Sequence, residues 1–555
     1  MVKTLFVLKA ALVLQFATVI YAGEPDSVPR DMDTILAKLK ADIELARNRT
    51  GVPGLGVAIM HKGKLVFAEG FGKRNKKDPF TPETRSMLGS LTKAFTATTI
   101  GELVAEGKMD WDSTSINTYL PDFETIDPVL TSQLTLQDLL SHRTTFPSLD
   151  VSWFWGNETR RDLIRRIRHV PVNPKLRSTT NYNNVMYSVA GEAAANVAGV
   201  SIEQLVRDKI FRPLGFSSMG FTMDAMSKSS NHALPYKAAS YEDAVAGRFI
   251  ELPLDGMAEK SAAAGDMYSS VLDLTRWGEA VRKGGVQNGK QVLSKEGIAA
   301  TLTAHTIFNP ALRDPDVGLS VQYGMGWVLG SYKGNNLYEH GGRVFGYMTD
   351  LAIFPNAELV VAVLTNSDVT GLPAYVKFQV ADEVLGLRKT HDWLAVDAIA
   401  TTAALYNIYD GLAKGNFPEK VPNKPPAHEL GAYAGEYFHP GFGSIVVRLD
   451  EDELHISYEA FKGVLTHYHF ESFTTVLSHG TAVEIGQLLI FRTGANGKVS
   501  GVSIEAMSAQ AIFTKRQVKS PQATQHPSEY HSRHAHTVVM AQSQLSFRPF
   551  HVVQL

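Results

Sequence analysis

Between residues 31 and 48, apolar side chains recur at Ile35, Leu36, Leu39, Ile43, Leu45 and Ala46, a period that predicts a helix ending near Gly51. The next segment, GLGVAIMHKGKLVFAEGFG, splits into two apolar runs around Lys62-Gly63, which is a hairpin pattern. The same strand-turn-strand rhythm returns much later in LYEHGG, TDLAIFP and ELVVAVLTN, with a turn at Pro355-Asn356. Between these clusters the pattern is helical, as in LTLQDLLSHR, NNVMYSVAGEAAANVAG and SIEQLVRDKIF. Strands at both ends with helices between them predict an α+β domain, in which one antiparallel sheet is closed by the two ends and flanked by helices.

Residues from Thr390 to Asn416 read as helix, and the Pro/Lys-rich PEKVPNKPPAHE reads as a linker, with a boundary near Pro425. Beyond it, short alternating runs such as GSIVVRLD, ELHISYEA and AVEIGQLLIF predict a small all-β, barrel-like domain. The chain thus divides into a leader (1–22), a main domain (29–390), a helical segment and linker (391–426), a β domain (427–516) and a polar tail (517–555) expected to be disordered.

Composition narrows the class. The chain has 555 residues, 44% hydrophobic and 20% charged, enough for more than one core. A formal net charge of −2 creates no global field for polyanions, so a nucleic-acid partner is not expected. The start MVKTLFVLKAALVLQFATVIYAGEPD has a basic end, a short apolar run and a small residue, Ala22, before polar sequence. It reads as a cleavable secretory signal, so the mature protein is expected outside the cell and free of the membrane. Cysteine is absent, which excludes disulfides, thiol catalysis and cysteine-held metals. The tail histidines His531, His534 and His536 lie in a stretch too polar to build a site, and no metal or cofactor is expected.

Chemistry enters with LGSLTKAFTATTI, where Lys93 is the lone charge between Ser86 and Gly101. Ser90 and Lys93 are three apart, so a helix places them on one face. A serine hydroxyl is a poor nucleophile until a base removes its proton. A lysine in a dry, apolar site has its charged form penalised and can be that neutral base. Tyr182-Asn183-Asn184 adds a phenol and an amide where a loop enters a helix. A phenol whose pKa is lowered by a neighbouring cation can relay a proton, and the amide can orient the lysine or meet a substrate carbonyl. His340-Gly341-Gly342 ends a predicted strand, where glycine lets a ligand approach the backbone. Gly-x-Ser-x-Gly, P-loop and His-Glu-x-x-His motifs are missing.

The order Ser-x-x-Lys, Tyr-x-Asn, then His-x-Gly resembles the serine β-lactamase and penicillin-binding protein family, in its class C β-lactamase, D-aminopeptidase and esterase branch. LTLQDLLSHRTTFPSLD, IFRPLGF, AAAGDMYSSVLDLTRW and YGMGW support the resemblance, which covers residues from Asp31 to Leu387. It implies the β-lactamase/transpeptidase-like fold, with Ser90 as nucleophile, Lys93 as base and Tyr182 as general acid/base. It also implies substrate contacts at Asn184, His340, Gly341, Gly342 and Arg343, with the Ser90 and Arg343 amides as oxyanion hole. Class C enzymes carry a lysine and a hydroxyl residue where this chain has His340 and Gly341, so anionic β-lactams are expected to be poor substrates, with partial recovery near pH 5.5 if His340 becomes charged. The expected reaction is hydrolysis of an ester or amide in a small molecule or short peptide through an acyl-enzyme. D-aminopeptidase, D,D-carboxypeptidase or β-lactamase activity, acyl transfer to a small acceptor, and an inactive binding protein stay open. The aromatics of VSWFWGNE (Val151 to Glu158) either line the site or cover a core.

Overall fold

The expected opening helix runs Met32–Thr50 and stops where Gly51 adopts φ +67, its N–H turned back onto Arg47 and Asn48 carbonyls. This computed structural model describes residues 31–516 except 157, 173–174, 255–258, 310–315, 319–320, 480–482 and 507–508. The expected leader and the histidine-bearing tail therefore lie outside the described residues. Gly54–His61 and Lys64–Gly72 form the expected hairpin, with Lys62 and Gly63 both at positive φ (50° and 76°), as a tight two-residue turn requires.

Gly54–His61 also pairs antiparallel with Leu359–Thr365, in the register Val57↔Val363, and so joins the two ends of the domain in one sheet. That sheet has eight strands, in the order Thr306–Asn309, Val321–Tyr323, Val328–Tyr332, Asn335–Val344, Tyr347–Phe354, Leu359–Thr365, Gly54–His61 and Lys64–Gly72. Met32–Thr50 and Leu372–Val384 cover one face, burying Leu39, Ile43, Val376 and Val380 against Leu55, Val57, Val361 and Val363. The helices Thr92–Ala105 and Val271–Arg282 lie on the other, where Phe95 stacks on Trp277 at 4.3 Å. Every residue of Leu359–Thr365 is buried, because both of its faces are covered.

The C-terminal strands, from Gly435–His439 to Ala509–Lys515, form a closed eight-stranded barrel in which Tyr437↔Lys515 completes the ring. Closure removes the edges that an open sheet would expose. The apolar core of the helical layer continues into this barrel. At the seam, Trp155 meets Phe461 edge-on at 5.1 Å and packs on Phe345 at 5.7 Å. The VSWFWGNE aromatics thus divide: Trp153 and Phe154 are core, and Trp155 joins the two domains. Among the described residues no helix is long and apolar enough to cross a membrane.

Candidate active site

The short strand Ser86–Met87 leads through a 3-10 turn, Gly89–Leu91, into the helix Thr92–Ala105. Ser90 occupies the turn rather than the helix proper, yet the i, i+3 geometry survives: Lys93 Nζ donates to Ser90 Oγ at 3.0 Å. Gly89 has φ +55, and a Cβ there would sit 2.5 Å from the Arg343 amide nitrogen. A Cβ on Gly342 would lie 1.9 Å from the Leu88 carbonyl oxygen. Glycine at both positions lets the serine turn and the strand Asn335–Val344 touch backbone to backbone. The segments that carry the two amides expected to form the oxyanion hole, those of Ser90 and Arg343, are thereby neighbours.

Lys93 is fully buried. Its ammonium also donates to Asn184 Oδ1 at 2.6 Å and to the Ala264 carbonyl at 2.9 Å, so all three donor positions have partners. Burial lowers its pKa from 10.5 to about 7, against the pull of the Asp150 carboxylate. The lysine is thereby poised to exchange a proton near neutrality. Asn184 opens the helix Asn184–Ala198, and Asn183 caps that helix by accepting from the Met186 amide. The Asn184 Nδ2 group in turn donates to Asp150 Oδ2 at 3.0 Å.

Tyr182 is hydrogen-bonded to Ser90, and its ring centre lies 4.8 Å from Lys93 Nζ. The expectation that a cation would lower its pKa fails. Burial dominates and pushes the phenol well above its ordinary value, although the bond to Ser90 works the other way. The shift favours the neutral phenol, which can pass a proton on. Of the two groups beside Ser90, only the lysine is suited to be the resting base.

The third motif places His340 under the same roof. His340 is buried, with Nδ1 2.5 Å from the Gly341 carbonyl and Nε2 3.0 Å from the Tyr323 hydroxyl. A bare Nδ1 would repel that carbonyl, so Nδ1 carries the proton and Nε2 accepts from Tyr323. Burial, reinforced by the charge on Lys93, lowers the His340 pKa to about 3. The expected charging of His340 near pH 5.5 is therefore corrected: its surroundings are too dry to admit the cation. The neighbouring strand Val328–Tyr332 pairs only as far as Glu339, so the backbone from His340 to Val344 is left by that strand. Gly341 and Gly342 lie on this stretch, and the Arg343 side chain turns away to Asp368 and the Tyr409 ring.

The structure brings Ser90, Lys93, Tyr182, Asn184, His340 and the Gly341–Arg343 backbone to one place. It adds groups that the sequence reading did not single out. Asp150 lies behind Asn184. His142, at φ +60, accepts from the Asn183 amide and packs its ring against Tyr182, Tyr187 and Tyr323 at 4.2, 5.2 and 4.7 Å. Asp150 and His142 fall within LTLQDLLSHRTTFPSLD and Tyr323 opens YGMGW, so the signal was present as stretches, without a reason to choose a residue. Among the described residues no cluster of three His, Cys, Asp or Glu side chains could hold a metal ion.

Comparison with known proteins agrees with this architecture. The Beta-lactamase family matches residues 33–385, and a Domain of unknown function (DUF3471) matches residues 419–519. An unguisins hydrolase of Aspergillus campestris is 29% identical over 425 residues, covering 73% of this chain and 76% of the relative. The octameric penicillin-binding protein homologue from Pyrococcus abyssi superposes with a TM-score of 0.56 at 22% identity, over 86% of this chain and 99% of that one. EstCE1, described as a hydrolase with promiscuous acyltransferase activity, gives 0.53 at 20% identity, over 63% and 99% of the two chains. With the family match spanning the whole sheet-and-helix domain and a hydrolase among the relatives, the chain belongs to the β-lactamase family and is a serine hydrolase of that type.

Proposed function

We propose that the protein is exported and hydrolyses an ester or amide bond of a neutral small molecule or short peptide through an acyl-enzyme on Ser90. The observation that carries this reading is a fully buried lysine amine 3.0 Å from a serine hydroxyl. Neutral Lys93 takes the Ser90 proton as Oγ bonds to the carbonyl carbon, and the oxyanion forms against the Ser90 and Arg343 amides. The proton then passes by way of Lys93 and Tyr182 to the leaving oxygen or nitrogen, whose bond to carbon breaks. Water attacks the ester on Ser90, giving its proton back along the same path, and the free acid leaves.

Substrate preference follows from the third motif. A neutral His340, both of whose nitrogens are engaged within the protein, offers no charge to a substrate carboxylate, and Gly341 offers no hydroxyl. Recognition there falls to backbone groups, which suit a neutral amide or ester. The unguisins hydrolase relative makes unguisins one candidate substrate. The test is labelling of the mature protein by a fluorophosphonate, in wild type and Ser90→Ala. Wild type should take up one label and the variant none; equal labelling of both would place the nucleophile elsewhere.

A further inference from the structure

Asp150 opens a short helix, Asp150–Phe154, and is drawn into the site from outside the three motifs. Its Oδ2 accepts from Asn184 Nδ2 at 3.0 Å, and Asn184 Oδ1 accepts from Lys93 at 2.6 Å. One amide thus bridges a carboxylate and an amine, and Lys93 continues the chain to Ser90 at 3.0 Å. We propose that Asp150 is a positioning residue of the reaction: its carboxylate locks the Asn184 amide so that the oxygen faces Lys93, and that bond keeps the lysine amine on the Ser90 hydroxyl.

The lock is polar at both ends. Rotating the Asn184 amide by half a turn would set its oxygen against the carboxylate and its NH2 against the lysine, two repulsive contacts in place of two attractive ones. Asp150 enforces one orientation in a way that a neutral acceptor does more weakly. The amide also acts as a spacer. A carboxylate in direct contact would hold Lys93 as an ammonium, whereas with Asn184 between them Asp150 only partly offsets the burial that lowers the lysine pKa. The other groups around Lys93 cannot take over this role. His142 and His340 are kept neutral by burial, and Tyr182 and Tyr187, whose rings lie 4.8 and 5.4 Å from Nζ, are pushed towards their neutral phenols. Asp150 is therefore the carboxylate that tunes the base; burial raises its own pKa, and the Asn184 bond and the Lys93 charge oppose that rise.

The inference rests on the acyl-enzyme reading above and makes a separate claim, so the experiment separates the two. Acylation kcat/KM for p-nitrophenyl acetate is measured against pH for wild type, Asp150→Asn and Asp150→Ala, with thermal melts of each and Ser90→Ala as the blank. Asp150→Asn keeps an acceptor for Asn184 but loses the charge, so the acid limb should move down by about one pH unit while the plateau changes by about 3-fold or less. Asp150→Ala also loses the lock, and its plateau should fall by about 10-fold or more, as expected when a catalytic group is misplaced. Turnover by Ser90→Ala equal to wild type would overturn the acyl-enzyme reading itself. With a normal wild type, a plateau within about 3-fold of it in folded Asp150→Ala overturns the lock, and an unmoved limb in Asp150→Asn overturns the role of the charge. If Asp150→Ala does not fold, the limb of Asp150→Asn alone decides.

Discussion

The titration of Lys93 should govern acylation, and the fold sets where it falls. Burial brings its pKa to about 7, so about half of the molecules hold a neutral amine at pH 7, about 3% at pH 5.5 and nearly all at pH 8.5. An ordinary lysine with a pKa of 10.5 would be neutral in only about 0.03% of molecules at pH 7. The site thus raises the available base about 10³-fold, at a net cost of about 4–5 kcal/mol to the charged form, reckoned at 1.36 kcal/mol per pKa unit. His340, lowered to about 3, and Tyr182, raised above its ordinary range, add no limb of their own between about pH 5 and 9. The assay is the burst of p-nitrophenol from p-nitrophenyl acetate between about pH 5 and 9 at constant ionic strength, in wild type and Lys93→Arg. The expected profile is a one-proton rise centred near pH 7, with rates about 30-fold below the plateau at pH 5.5. Lys93→Arg, which stays charged, should be slower by about 10³-fold or more and show no limb. A wild-type limb at pH 9 or above, or near-normal rates in Lys93→Arg, would refute the assignment of the base.

Three further outcomes are expected. Tyr182→Phe removes the hydroxyl beside Ser90 and should slow acylation by about 10²-fold in stopped-flow traces, with the Lys93 limb retained; a loss below about 3-fold would remove Tyr182 from the proton path. Lowering the pH from about 7 to 5.5 should reduce nitrocefin and ester acylation together, since Lys93 gains its proton while His340 stays neutral. A nitrocefin-to-ester ratio that rises more than about 3-fold would mean that His340 charges after all. Phe461→Ala empties the barrel side of the Trp155 contact and should cost about 3–5 kcal/mol by chemical denaturation, with slower acylation as the Asp150–Phe154 segment loosens. Lost stability with unchanged acylation would make the barrel a support only.

What the sequence by itself determined was whatever depends on neighbours along the chain. The spacing of Ser90 and Lys93 fixes their meeting on one turn whether that turn is 3-10 or α, and the hairpin at Lys62-Gly63 follows from residue type. Strand clusters at both ends of the domain implied the closing pair, realised as Val57 opposite Val363. The tertiary structure decided the protonation states and the partners from afar. No local pattern says that His340 meets Tyr323 or that Asp150 reaches Asn184, because these contacts arise when separate elements pack. The same holds for Tyr182, whose expected acidity was reversed because removal from water outweighs a nearby cation. Burial is a property of the assembled layers, and it is burial that turns a lone lysine into a base and a third-motif histidine into a neutral wall.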